Sequence, residues 1–236
     1  MKGNIVIKIG GSLLLTKNKK IDTKKITEFC DIIKSRKNSS TNVIICGGGL
    51  LARDYIDAVR SFGGSEALCD LFGIDISRIN SKLIIASLQN TAYPHVPKSM
   101  HELSTAMLFD KTIVMGGLQP GQSTTSVALE VAEFIAAEEI VILTDVEGIY
   151  DKDPNKHSDS QLLSHLNYDQ LQEIIINLKD NKQAAAGEYR IFDAVSLQIL
   201  KRSNIKVFVM SGKDLKEFKK FWAGQKNVKG TIISNE

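Results

Sequence analysis

Three short apolar runs in this chain each end in glycine, and no other feature restricts its fold as strongly. Ile5-Val6-Ile7 passes through Lys8-Ile9 into Gly10-Gly11-Ser12, Val43-Ile44-Ile45-Cys46 runs into Gly47-Gly48-Gly49, and Thr112-Ile113-Val114-Met115 opens the loop Gly116 to Thr124. The second of these junctions reads as a phosphate site. Three glycines between a strand and the helix-like segment Leu50 to Ile56 let backbone come close to an anion, and the first helical turn offers free N–H groups and a positive dipole end. Arg53 lies one turn further on. Helical side chains lean toward the N-terminus, so its guanidinium can reach back over the glycines. In an open parallel sheet, ligands collect beyond the carboxyl ends of the strands, where three such ends can share one crevice. Neither Gly-x-Gly-x-x-Gly nor Gly-x4-Gly-Lys-Ser/Thr is present, so the phosphates must be held in another way.

The 236 residues suffice for one large α/β domain with a well-buried core, and one domain is the expectation. A formal charge of +3 with acids and bases intermixed calls for no nucleic-acid surface. Cys30, Cys46 and Cys69 are odd in number and sit among apolar neighbours, which favours buried thiols in a reducing compartment over disulfides or a metal site. The four histidines show no ligand spacing. No segment approaches the roughly 20 apolar residues of a membrane span, so a cytoplasmic protein is expected.

Strand and helix alternate along the chain. Asp22 predicts an N-cap for a helix with Ile26, Phe29, Cys30 and Ile33 inward. A long helix over Ser65 to Leu88 is expected to turn Leu68, Leu71, Phe72, Ile76, Ile79 and Leu83 to its apolar side. Tyr93-Pro94-His95-Val96-Pro97 then forms an extended connection. A helix near Thr124 to Ala137 should place Val127, Val131, Phe134 and Ile135 inward and Glu130 and Glu133 outward. Ile140 to Leu143 is a continuous apolar run, as in a strand buried on both faces. Helices around Tyr168 to Leu178, from Asp193 and over Asp214 to Trp222 follow, with a polar loop at Asn181 to Gly187 and strands at Lys206 to Met210 and Gly230 to Ser234. The pattern predicts a layered α/β/α sandwich with a largely parallel central sheet.

With these motifs placed, the chain resembles the amino acid kinase superfamily, and within it the uridylate kinases of archaeal type. The resemblance rests on Lys8-Ile9-Gly10-Gly11-Ser12, Gly47-Gly48-Gly49 with Arg53, Asp70, the Gln-Pro-Gly-Gln-Ser-Thr core of the Gly116 to Thr124 loop, and Thr144 to Pro154, in that order. It implies transfer of the γ-phosphoryl of MgATP to UMP, with the N-terminal part mainly holding UMP and the C-terminal part mainly ATP. Lys8 would be the cation over the transferring phosphoryl, and Ile9, Gly10, Gly11, Ser12 and Gly49 would hold ATP, together with Thr144, Asp145, Tyr150 and Asp153. Gly48, Asp70 and Leu118, Gln119, Pro120, Gly121, Gln122, Ser123 and Thr124 would hold UMP, with Asp70 on the ribose hydroxyls. Arg53 is expected at phosphate on the boundary, the nucleotide it favours being left open. Asp193 is expected either near the reacting phosphates, orienting Lys8 or Mg²⁺, or as the N-cap of its helix. No protein-bound metal is expected beyond the Mg²⁺ that accompanies ATP. The resemblance also implies a homohexamer built from dimers and raises UTP as a feedback inhibitor.

Asp145 departs from the pattern. Archaeal relatives often carry Asn at this position, whereas kinases of carboxylates in the superfamily carry Asp. Two other enzymes of the superfamily share part of the pattern. Isopentenyl phosphate kinase usually has a substrate-contacting His after the second glycine segment, where this chain has Leu50-Leu51-Ala52-Arg53; a carboxylate kinase would explain Asp145 but not the 118 to 124 loop. A nucleotide-binding regulatory or storage protein without turnover is the reading from a different class.

Overall fold

The computed structural model describes residues 3–36, 41–152, 157–177 and 191–235. The strands are β1 (Ile5–Ile9), β2 (Asn42–Cys46), β3 (Ile113–Met115), β4 (Glu139–Thr144), β5 (Ile149–Tyr150), β6 (Leu162–Leu163), β7 (His165–Leu166), β8 (Lys206–Ser211) and β9 (Thr231–Ile233). The α-helices are α1 (Thr23–Lys34), α2 (Gly49–Ser61), α3 (Glu66–Leu88), α4 (Met100–Ala106), α5 (Thr124–Phe134), α6 (Tyr168–Asn177), α7 (Ala194–Ser203) and α8 (Lys216–Trp222).

Seven strands form one sheet in the order β3-β2-β1-β4-β8-β9-β7, parallel at every pairing except β8 with β9. β5 and β6 make a separate antiparallel pair. Because successive side chains on a strand point to opposite faces, each strand feeds two cores. Val6, Val43, Ile45, Ile113 and Met115 pack with α4, α5, α6 and α7 on one face. Ile5, Ile7, Ile9, Ile44 and Val114 pack with α1, α8 and the end of α3 on the other. The layered, mostly parallel arrangement expected from the sequence is present. Chain order reverses between β1 and β4, which makes their carboxyl ends the switch point where an open α/β sheet leaves a crevice.

Several elements follow directly from their residues. Asp22 accepts a hydrogen bond from the Lys25 N–H at 3.0 Å and caps α1, whose buried residues include Ile26, Phe29, Cys30 and Ile33. All three cysteines are buried and free.

Other expectations need correction. α5 stops at Phe134, and Phe134 is 50% exposed instead of inward. The helix ends because Ala136 takes φ +50° while the Ala137 and Ala136 N–H groups bond the Ala132 and Glu133 carbonyls at 2.8 and 3.1 Å. This is a left-handed cap normally announced by glycine, and here alanine occupies it. On α3 the buried residues are Cys69, Ile74, Ile76, Ser77, Asn80, Ser81, Ile84 and Leu88, while Leu68, Leu71, Phe72 and Ile79 are between 37% and 49% exposed. The helix turns a partly polar face inward because that face meets the glycine loops. α8 begins at Lys216, after Leu215 in the left-handed region at φ +51°. The loop expected at Asn181 to Gly187 lies outside the described residues. No described helix is long and apolar enough to cross a membrane.

Candidate active site

Hydrogen bonds stitch the carboxyl ends of the central strands together. The Gly10 N–H bonds the Leu143 carbonyl at 3.0 Å, the Gly47 N–H bonds the Ile9 carbonyl at 2.9 Å, and the Gly212 N–H bonds the Thr144 carbonyl at 2.7 Å. Gly212, after β8, is a fourth glycine at a strand end that the sequence reading did not single out.

The first two glycine loops touch backbone to backbone. A Cβ on Gly11 would stand 2.3 Å from the Gly47 carbonyl oxygen and 2.5 Å from the Gly49 nitrogen, and one on Gly49 would stand 2.4 Å from the Ser12 nitrogen. Gly49 also has φ +69°, a conformation side-chain-bearing residues avoid. Glycine is therefore required on both sides of this contact. Ser12 lies in a 3-10 turn over Gly11–Leu14 that follows at once. Ile9 buries its side chain in the core, which leaves only its backbone for a ligand.

Lys8 lies three residues before Gly11, on the face of β1 that also carries Val6. It is 8% exposed, and burial pushes its pKa down to about 8, with the Asp145 carboxylate drawing it up and the Arg53 guanidinium pushing it further down. The charge on Lys8 is thus sensed by one residue after β4 and by another on α2. Thr144 Oγ1 donates to Asp145 Oδ1 at 3.3 Å. Lys8, the glycine backbones, Arg53 and Asp145 form one polar centre at the switch point. Such a centre offers a buried cation and backbone donors to anionic oxygens.

α3 runs along the other side. Asn80 donates from Nδ2 to the Gly47 and Gly48 carbonyls at 2.8 and 3.3 Å. Ser77 Oγ accepts from the Gly117 N–H at 2.7 Å and donates to the Ile74 carbonyl at 2.6 Å. Arg78 donates to the Gly117 and Leu118 carbonyls. Asp70 Oδ2 accepts from the Gly121 N–H at 2.8 Å. The helix therefore holds the second and third glycine loops together. Only Asp70 among these was foreseen; Ser77, Asn80 and Ser81, polar at helical spacing on one face, were the available signal for the rest.

The remaining residues of the third loop are placed unequally. Gln119, Pro120 and Gly121 are exposed. Gln122 Nε2 donates to Glu130 Oε2 at 3.1 Å, and its buried Oε1 meets no partner among the described residues. Ser123 caps α5 by accepting from the Ser126 N–H at 3.1 Å, and Thr124 Oγ1 stands against Gly47. Asp193 caps α7 in a reciprocal box with Ser196, and its carboxylate also accepts from Ser126 Oγ at 2.9 and 3.1 Å. It is thereby tied to the start of α5. Tyr150, on β5, donates from its hydroxyl to Glu147 Oε2 at 3.4 Å, and Lys229 holds the other Glu147 oxygen at 2.7 Å. Asp153 lies outside the described residues. Among the described residues, no group of three or more His, Cys, Asp or Glu gathers as a metal site. A groove of about 730 Å³ between α1 and α8, lined in part by Thr27, Glu28, Asp31 and Trp222, includes none of these loop residues.

A sequence profile described as the amino acid kinase family matches residues 4–211, from β1 to the end of β8. The chain belongs to the amino acid kinase family. Similar proteins extend over nearly all of this amino acid kinase. It is 40% identical over 210 residues to the uridylate kinase of Methanobrevibacter smithii, covering 89% of this chain and 90% of that one. It is 34% identical over 233 residues to the uridylate kinase of Sulfolobus acidocaldarius, covering 98% and 99%. The crystal structure of uridylate kinase from Archaeoglobus fulgidus superimposes with a TM-score of 0.80 at 32% identity, covering 98% of this chain and 99% of that one. The UMP kinase structure from Ureaplasma parvum, at 22% identity and a TM-score of 0.79 over the whole of both chains, shows the shared fold.

Proposed function

We propose that this amino acid kinase is a UMP kinase, transferring the γ-phosphoryl of MgATP to UMP to give ADP and UDP. The observation that carries the reading is the backbone contact of the two glycine loops close to the buried Lys8, because two anions bound by these loops would lie near one another and near one cation. The uridylate kinase relatives point the same way. In the reaction, a phosphate oxygen of UMP forms a bond to the γ-phosphorus as the bond to the β-phosphate oxygen breaks. A phosphate monoester has its second pKa near about 6, so the attacking group is already ionised at neutral pH and needs no general base. Holding two repelling anions in line and neutralising the charge that passes between them then becomes the main task.

In this reading Lys8 and Arg53 carry the neutralising charge, and Ile9, Gly10, Gly11, Ser12 and Gly49 present backbone to ATP. Thr144, Asp145, Tyr150 and Asp153 complete the donor side. Gly48, Asp70 and the loop Leu118 to Thr124 receive UMP, with Asp70 on the ribose hydroxyls. Asp193, the N-cap of α7, also holds Ser126 at the start of α5, the helix that follows the acceptor loop. Mg²⁺ bound to ATP would spread the charge of its phosphates. We read residues 1–236 as one domain of a cytoplasmic homohexamer in pyrimidine nucleotide synthesis, with UTP competing at the UMP site.

The test is a coupled assay of ADP release with MgATP and UMP, CMP, dUMP, isopentenyl phosphate or N-acetylglutamate. Strong preference for UMP is expected. Preference for isopentenyl phosphate or N-acetylglutamate would keep the fold and reassign the acceptor loop, and silence on all five would make the chain a nucleotide-binding protein.

A further inference from the structure

The third glycine loop is held at its entry and at its exit by the same helix, but in different ways. At the entry, Arg78 Nε donates to the Gly117 carbonyl at 3.1 Å and Nη2 to the Leu118 carbonyl at 3.3 Å. Two successive carbonyls are gripped by one planar fork, a geometry that guanidinium supplies and ammonium does not. The Gly117 N–H is held in turn by Ser77, so the two peptide units that flank Gly117 are both fixed to α3. Side chains would not fit here: a Cβ on Gly116 would lie 2.6 Å from Ser77 Oγ, and one on Gly117 would lie 2.9 Å from Ile74 Cγ1. The exit differs. Gly121, at φ +79° with open space around it, is attached to α3 through its N–H and the Asp70 carboxylate.

Arg78 is costly to keep in this position. Its side chain is 19% exposed, and its carboxylate neighbour, Asp75 at 3.7 Å, is itself 74% exposed and so offers a weak ion pair. The loop carbonyls are what replace the water the guanidinium has lost.

We propose that Arg78 is a positioning residue for the acceptor: it fixes the entry of the loop, so that the loop keeps its shape while Asp70 exchanges the Gly121 N–H for the hydroxyls of a ribose. The inference rests on the reading of Asp70 and the loop as the UMP site. Arg78 touches no substrate in this arrangement. It acts through the Gly117 and Leu118 carbonyls, and the effect of losing it belongs to the acceptor alone.

The experiment compares Arg78→Lys, Arg78→Ala and Asp75→Asn in the full chain. Steady-state KM for UMP and for ATP is measured along with amide hydrogen exchange across residues 116–122. Arg78→Lys keeps the charge but not the double grip, and should raise the KM for UMP about tenfold while the KM for ATP moves less than about twofold. Exchange at Gly117 and Gly121 should quicken in the same variant. Asp75→Asn should change neither quantity, since its ion pair is solvated. Arg78→Ala should exceed Arg78→Lys; if it does not fold, Arg78→Lys alone decides. Equal changes in the two KM values, or unaltered exchange in a folded Arg78 variant, would overturn the proposal. If the wild-type protein turns over no UMP, the acceptor reading itself has failed, and loop exchange then decides the anchoring by itself.

Discussion

Lys8 is the residue where structure and chemistry pull in opposite directions. Burial holds its pKa near about 8, well below the ordinary 10.5 of a lysine. Between those values the unfolded chain binds more protons than the folded one, so this group makes stability rise with pH across that window. Below it, the penalty for the buried charge is fully present and amounts to about 3 kcal/mol. Lys8→Met should therefore raise the midpoint of urea unfolding at pH 7 while abolishing turnover. The gain should fade as pH approaches 10.5, and a variant no more stable than the wild type at pH 7 would contradict the burial argument. Asp145 opposes the burial and draws the Lys8 pKa upward. If protonated Lys8 is the form that works, kcat/KM declines above pH 8 or so, and Asp145→Asn should move that decline to lower pH. An unshifted alkaline limb would remove Asp145 from this role. The residue that departed from the expected pattern in the sequence is, in the fold, a carboxylate acting on Lys8. Sequence spacing could not reveal this, since Lys8 and Asp145 come together only because β1 and β4 are paired.

Among the elements, the glycine-ended strands were legible because a continuous apolar run followed by glycine combines two independent signals. α3 was legible as a helix but not in its orientation. Its apolar residues Leu68, Leu71, Phe72 and Ile79 suggested the wrong face, because a helix whose task is to hold loops buries side chains that hydrogen-bond backbone. β5, β6 and β7, each two residues long, carry too few side chains to show a period. The end of α5 was hidden because alanine occupies the left-handed cap. The contact between the two glycine loops gives a sharp expectation. Gly11→Ala would force a methyl group to 2.3 Å from the Gly47 carbonyl oxygen, closer than real contacts permit. The loops must then separate, and both nucleotides should bind more weakly in calorimetric titrations, by about tenfold or more. A loss confined to one nucleotide would show that the loops serve separate sites.

At the scale of the whole molecule, α2 and α3 present an apolar surface to solvent. Tyr55 and Phe72 stack at 6.3 Å between ring centroids, and Leu68, Leu71 and Ile79 lie on the same helix as Phe72. Exposed apolar groups of this size are usual at contacts between subunits. The proposed hexamer predicts that sedimentation will show an assembly and that Phe72→Glu will break it into smaller species with the fold intact. A wild-type monomer would refute the assembly. Which side of α3 faces outward is set by its polar side, which holds the loops.

The wall between the two proposed nucleotide sites is a contact of backbone on backbone, with glycine on both sides of it. Anything that reshapes it is felt by donor and acceptor together, so it cannot be tuned for either partner alone. Diversification of such a kinase toward new acceptors is therefore channelled to the far side of the crevice, where Gln119 and Pro120 stand free in solvent. A library confined to that outer rim could change what is phosphorylated while leaving the phosphoryl donor untouched.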